Sequence, residues 1–209
     1  MKPTPPNVKK KPGRPKTSEP SVVKATILQT ASALFMQYGY DSVSMEQISA
    51  DSGVTKASVY YYFPNKAELF TAAVIRMMKN IAGITQSILA APGSMRERLT
   101  AVAEAHMRTP HVDFESLMRE AASSLTAAQT AAIREAEHSV HVVLAEAFRL
   151  EIEAGAIRSG DPLLYAYAFS AIMMLGGRSA GDASSAPLFS PVAPSDVVDL
   201  FWCGVGRMV

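Results

Sequence analysis

Apolar residues recur at helical spacing along this chain from about residue 21, and no stretch alternates with the two-residue period of a strand. Ile27, Ala31, Leu34 and Phe35 make one apolar face that ends at Gly39. Ser44 followed by Gln47 predicts a capping box, which satisfies two orphan amides at the start of a short helix. That helix turns Met45 and Ile48 inward and ends at Gly53. A second short helix starts at Thr55, buries Val59 and Phe63, and stops at Pro64. Asn65 with Glu68 caps a third, which runs through Leu69, Val74 and Met77.

The remainder of the pattern is helical too. "APGS" at 91–94 is a break, and Ser94 with Glu97 opens the next helix. "TPHVD" at 109–113 marks a second break or kink. Thr126 with Gln129 caps a long helix to Gly155, with Ile133, Val140, Leu144, Phe148 and Ile152 on its apolar side. Asp161-Pro162 opens a very apolar helix to about Leu175. A loop, "GGRSAGDASSAPLFSPVAP", leads to a last helix, "SDVVDLFWCGVGRM". The expectation is an all-α fold: a three-helix helix-turn-helix unit followed by a larger helical domain. Its divisions are a disordered basic arm at 1–20, the helix-turn-helix unit at 21–66 and the larger domain at 67–209.

Composition supports this without naming a chemistry. Hydrophobic residues make up 48% of the 209, and Ala, Leu and Met outweigh the β-branched types. Cys203 stands alone, so no intramolecular disulfide is possible. The apolar run at 162–177 is shorter than the ~20 residues of a membrane span and predicts a buried helix. No apolar stretch follows the N-terminal lysines as in a signal peptide, so a cytoplasmic protein with no membrane partner is expected.

Charge sharpens the picture. The net charge is +1, yet residues 1–24 hold Lys2, Lys9, Lys10, Lys11, Arg14, Lys16 and Lys24 against Glu19 alone. A basic end on an acidic body points to a polyanionic partner or to a solubilising tail. In a helix-turn-helix unit the second short helix enters the major groove of double-stranded DNA. Small residues at its start, Thr55, Lys56, Ala57 and Ser58, let the backbone approach. Lys56 can donate to guanine N7 and O6, and the Ala57 methyl can meet a thymine methyl. Tyr60, Tyr61 and Tyr62 span about 200° of the helix circumference, so one core cannot take all three. A tyrosine packed on the domain with its hydroxyl outward is a stiff phosphate donor, although packing alone is a reading that stays open for Tyr62. Lys66, near a helix start, is a further phosphate site.

The segment "SMEQISADSGVTKASVYYYFPNKAELF" resembles the DNA-binding signature of TetR/AcrR-type transcriptional repressors. Ser44, Ile48, Gly53, Val54, Val59, Tyr60, Tyr62, Phe63, Lys66 and Leu69 occupy the signature's places, and the resemblance covers roughly residues 21–75. Ser49 stands where alanine is usual, and Ser52 replaces another small residue. The resemblance implies an all-α homodimer with a ligand-binding body that responds to a small-molecule effector. It also implies that Ser44, Thr55, Tyr60, Tyr61, Tyr62 and Lys66 touch phosphates while Lys56 and Ala57 meet bases. The arm "KKKPGRPK" is similar to an AT-hook, in which Arg14 would follow an A·T-rich minor groove; a purely electrostatic tail is the alternative.

Leu164, Ala168, Ile172, Val198, Phe201 and Trp202 are too apolar to sit exposed and are expected to pair across a two-fold axis, or else to be buried within one chain. Candidate effector contacts are His106, Met107, Phe114, Met118, His141, Phe148, Tyr165 and Phe169, residue types that equally build plain core. His138 and His141 are three apart, but no suitably placed carboxylate or cysteine is evident nearby, so no metal and no cofactor are expected. The chain carries no Gly-rich phosphate loop, nucleophile elbow or paired carboxylates, so no enzymatic activity is expected.

Overall fold

The computed structural model describes residues 20–108, 114–178 and 192–206. Among these the chain is all-α, with nine helices and no strand: α1 Pro20–Ser42, α2 Met45–Ser52, α3 Lys56–Tyr62, α4 Lys66–Leu89, α5 Met95–Met107, α6 Phe114–Ala121, α7 Ala127–Glu153, α8 Pro162–Arg178 and α9 Pro194–Val205. The basic arm with Arg14, the break at 109–113 and most of the loop before α9 lie outside the described residues.

Local chemistry sets the boundaries. Side-chain oxygens of Ser44, Thr55, Asn65, Ser94 and Thr126 each accept from a backbone amide three residues on. Ser94–Glu97 and Thr126–Gln129 form full reciprocal boxes. Ser44 makes only its own half of the pair expected with Gln47, at 3.1 Å. Inside α1 the helical geometry breaks at Gly39, which sits at φ 82° and ψ 173°.

Two buried clusters form the interior. The first joins α1, α2, α3 and the start of α4 through Ile27, Phe35, Ile48, Val59, Leu69 and Phe70. It continues into Leu117 and Ala121 of α6 and Ile133 of α7. Phe70 meets Phe35 and Tyr40 edge-on at 5.1 and 4.9 Å between ring centroids, which fixes α1 on α4. The second cluster lies around Leu99, Leu144, Phe148, Phe169 and Phe201. Helices α4 and α7 contribute to both, so they run from one core into the other. The division placed at 66/67 falls in the first turn of α4.

Met78 is the buried methionine of α4, continuing the Phe70–Val74 row at four-residue spacing, and Met77 packs partly against the same core. One expectation changes. Val198 and Phe201 are buried within the chain, not on an outer face. Phe201 meets Phe148 at 5.4 Å and Phe169 at 5.2 Å. Ala168, Ile172 and Trp202 pack partly on the same core, which leaves Leu164 exposed, with Leu200 as a second outward leucine. The connection after α7 is pinned to the end of α9: Arg158 N–H donates to the Val205 carbonyl at 3.0 Å, and its guanidinium donates to the Gly204 carbonyl.

Candidate nucleic-acid interface

The α2–α3 unit is tied by its own polar side chains. Gly53 closes α2 in the left-handed conformation, φ 68° and ψ 19°, with open space around it. Ser49, where the signature usually has alanine, is buried and donates its hydroxyl to the Val54 carbonyl at 2.8 Å. Ser52 donates to the Ile48 carbonyl at 2.5 Å. Both departures from the signature thus brace the turn that orients α3.

α3 divides cleanly. Val59 is fully buried and Phe63 nearly so, and they hold the helix in the first core. Lys56, Ala57, Tyr60 and Tyr61 are exposed on the other side, within an arc of about 140°. Tyr61 is 80% exposed and Tyr60 40%. Tyr62 is half-buried against the core, with its ring edge-on to Tyr61 at 5.1 Å. Thr55 caps the helix, and its hydroxyl lies 2.8 Å from that of Ser58. No group among the described residues bonds the three tyrosine hydroxyls, which leaves them free to donate to phosphate oxygens.

The cations have definite partners. Lys56 pairs with Glu46 of α2, and its ammonium lies 5.8 Å from the centroid of the Tyr60 ring. The pair holds the Glu46 carboxyl below its ordinary range, because the Lys56 ammonium bonds it. Lys66 lies 4.3 Å from the Tyr40 ring centroid and donates to the Asp41 carbonyl at 3.3 Å. Partial burial pushes its ammonium down, opposed by Asp41 and Glu120. An ammonium has three donors, so two remain for a phosphate at the start of α4. Ser44 stands at the start of α2.

Of the eight candidate effector contacts, four come together at the second core and the others lie apart from them. Phe148 and Phe169 fill the second core, with Tyr165 edge-on to Phe148 and Met107 packed beside them. Met118 and Phe114 belong to the first core, with the Arg134 guanidinium 5.5 Å from the Phe114 ring. His106 is half-buried on α5. His141 is buried and stacks on Tyr167 at 4.0 Å, while His138 Nδ1 lies 3.0 Å from the Tyr167 hydroxyl. Among the described residues no three His, Cys, Asp or Glu side chains are grouped to hold a metal, and no helix is long and apolar enough to cross a membrane. A depression of about 300 Å³ opens elsewhere, between Ser94, Arg98, Glu151 and Trp202.

Two residues that sequence reasoning passed over touch this interface. Glu46 is ten positions before Lys56 and meets it only because Gly53 folds α3 back on α2. Glu120 of α6 accepts from the Asp41 amide at 3.2 Å and faces Gly39. Neither has a local sequence signal.

Residues 27–73 match the family described as bacterial regulatory proteins, tetR family. The HTH-type transcriptional activator FasR of Mycolicibacterium smegmatis is 32% identical over 82 residues, covering 39% of this chain and 37% of FasR. The HTH-type transcriptional repressor Rv1474c of Mycobacterium tuberculosis is 26% identical over 131 residues, or 57% of this chain and 70% of that protein. The fold is shared with AibR, solved with isovaleryl coenzyme A and operator DNA: TM-score 0.55 at 22% identity, covering 87% of this chain and 97% of that one. The match to the tetR family of bacterial regulatory proteins thus falls on the capped helix-turn-helix unit, from within α1 to the first turns of α4.

Proposed function

We propose that this protein is a ligand-responsive transcriptional repressor that binds a near-palindromic operator as a homodimer. The observation that carries the reading is the division of α3, anchored by Val59 and Phe63 while Lys56, Ala57, Tyr60 and Tyr61 face outward. Lys56 and Ala57 meet base edges, and the hydroxyls of Thr55, Ser44, Tyr60 and Tyr61 grip phosphates with Lys66. Tyr62 is mainly a packing residue with its phenol at the edge. The basic arm around Arg14 adds contacts along the same duplex, on its charge alone or in the minor groove.

Dimerisation joins the outer faces of α8 and α9, where Leu164, Tyr167 and Leu200 are exposed. Two copies of α3 then address successive major grooves about one DNA turn apart. A small molecule bound in the helical body favours a dimer whose α3 pair no longer fits that spacing, and α4, shared by both cores, carries the change. AibR, with its ligand and operator, and Rv1474c, a repressor by name, support the ligand and repressor parts. The protein acts in the cytoplasm and catalyses no reaction.

Transcription in vitro from a promoter overlapping a duplex that the protein selects from genomic fragments tests this. Added protein lowers transcript yield, and a small molecule that releases the duplex restores it. A rise in transcript on adding protein would overturn the repressor assignment.

A further inference from the structure

Lys56 is the first residue of α3, where a positive charge opposes the helix dipole. A free lysine there would swing away on its four-carbon stem and settle on the nearest phosphate, a contact without sequence information. It is held instead between the Glu46 carboxylate and the Tyr60 ring. Both partners of the ion pair are more than half exposed, so the pair adds little to folding. Glu46 also lies in the first turn of α2, two residues after Ser44, where its charge opposes a nearby phosphate.

We infer that Glu46 is a specificity-determining positioning residue, which holds the Lys56 ammonium for a guanine edge and keeps it off the phosphates. This rests on the operator-binding reading above. Its consequence is a G·C pair at one fixed position of each half-site, read by Lys56 only while Glu46 holds it.

The test uses the full chain and two probes: the duplex most enriched by the wild-type protein from a randomised pool, and a scrambled duplex of the same length. Fluorescence anisotropy across a salt series gives affinities for wild type, Glu46→Gln, Glu46→Asp, Lys56→Ala and the double variant Glu46→Gln/Lys56→Ala. Glu46→Gln should tighten binding to the scrambled duplex with a salt slope steeper by about 1, the signature of one added phosphate contact. It should gain nothing on the selected duplex, so discrimination falls roughly tenfold, within the range of one lost base contact. Glu46→Asp keeps the charge but withdraws the carboxylate, and should lose much of the same discrimination. In the Lys56→Ala background Glu46→Gln should change both duplexes equally. Equal tightening of both duplexes by Glu46→Gln in the wild-type background, with Glu46→Asp like wild type, would overturn the inference and leave Glu46 a mere repulsive charge. Wild-type protein that binds the two duplexes equally would overturn the operator reading itself, and this inference with it.

Discussion

Replacing Gly39 with alanine tests how the DNA-binding unit is fastened to the helical body. At φ 82° and ψ 173° the backbone occupies a region open essentially to glycine, so alanine is strained there by roughly 1–3 kcal/mol. Space is denied as well. A Cβ would stand 2.6 Å from Glu120 Oε2 and 3.0 Å from Oε1. The carboxylate must move, and it then releases the Asp41 amide that it accepts from at 3.2 Å, a loss of about 1 kcal/mol. Together the expected destabilisation is about 2–4 kcal/mol, or roughly 4–16 °C in thermal midpoint for a chain of this length. Gly53→Ala is the control: its φ is also positive, but nothing lies within 4 Å, so only the left-handed penalty of about 1–2 kcal/mol applies. Urea unfolding followed by circular dichroism measures both. In a Glu120→Ala background, Gly39→Ala should retain the backbone part of its effect and lose the rest. The reasoning is refuted if Gly39→Ala destabilises no more than Gly53→Ala, or if its effect is the same with and without Glu120.

Three further outcomes are expected. Arg98 donates to the Leu89 carbonyl at 2.6 Å and to Glu151 at 2.8 Å, tying the end of α4 to α5 and α7; Arg98→Ala strands a mostly buried Glu151 and should lower unfolding free energy by roughly 1–3 kcal/mol, after allowing for partial exposure, where Glu151→Gln lowers it less. Burial holds the His141 imidazole below its ordinary range, so the unfolded chain binds its proton first. Stability from this group is complete above about pH 6.5 and is lost as pH falls toward the folded value; denaturation between about pH 7.5 and pH 5.5 should show a shallower loss for His141→Gln than for wild type, and equal slopes would contradict a neutral buried ring. Tyr61→Phe removes a free hydroxyl from the outer side of α3 and should weaken duplex binding by about 0.5–1.5 kcal/mol without altering the salt slope, since no charge is lost; a changed slope in anisotropy titrations would argue against a neutral phosphate donor.

What was legible in the sequence was local. The caps at Ser44, Thr55, Asn65, Ser94 and Thr126 involve bonds across three residues, and each marks a helix start in the structure. The buried faces of α1 and α3 follow from spacing alone, as do the breaks at Gly39 and Gly53. Apolarity, by contrast, says that a residue is buried and not against what. Val198 and Phe201 therefore read as an outer dimer face although Phe148 and Phe169 of the same chain cover them. The same ambiguity drew candidate effector contacts from more than one region: Met107, Phe148, Tyr165 and Phe169 at the second core, Phe114 and Met118 at the first. Adjacent Met77 and Met78 differ by 100° on α4, and only Met78 is buried in the first core while Met77 packs partly against it. The contact that braces the interface, Lys56 to Glu46, and the one that ties it to the body, Asp41 to Glu120, each join different helices.

The central claim is that α3 reads a specific operator. Its most direct test is selection and sequencing of genomic fragments bound by the full-length protein, beside a variant lacking residues 1–18. A short palindrome enriched by both, with half-site centres about 10 base pairs apart and lost on Lys56→Ala, is the predicted result. Diffuse A·T-rich enrichment that disappears with the arm, and no palindrome, would contradict it.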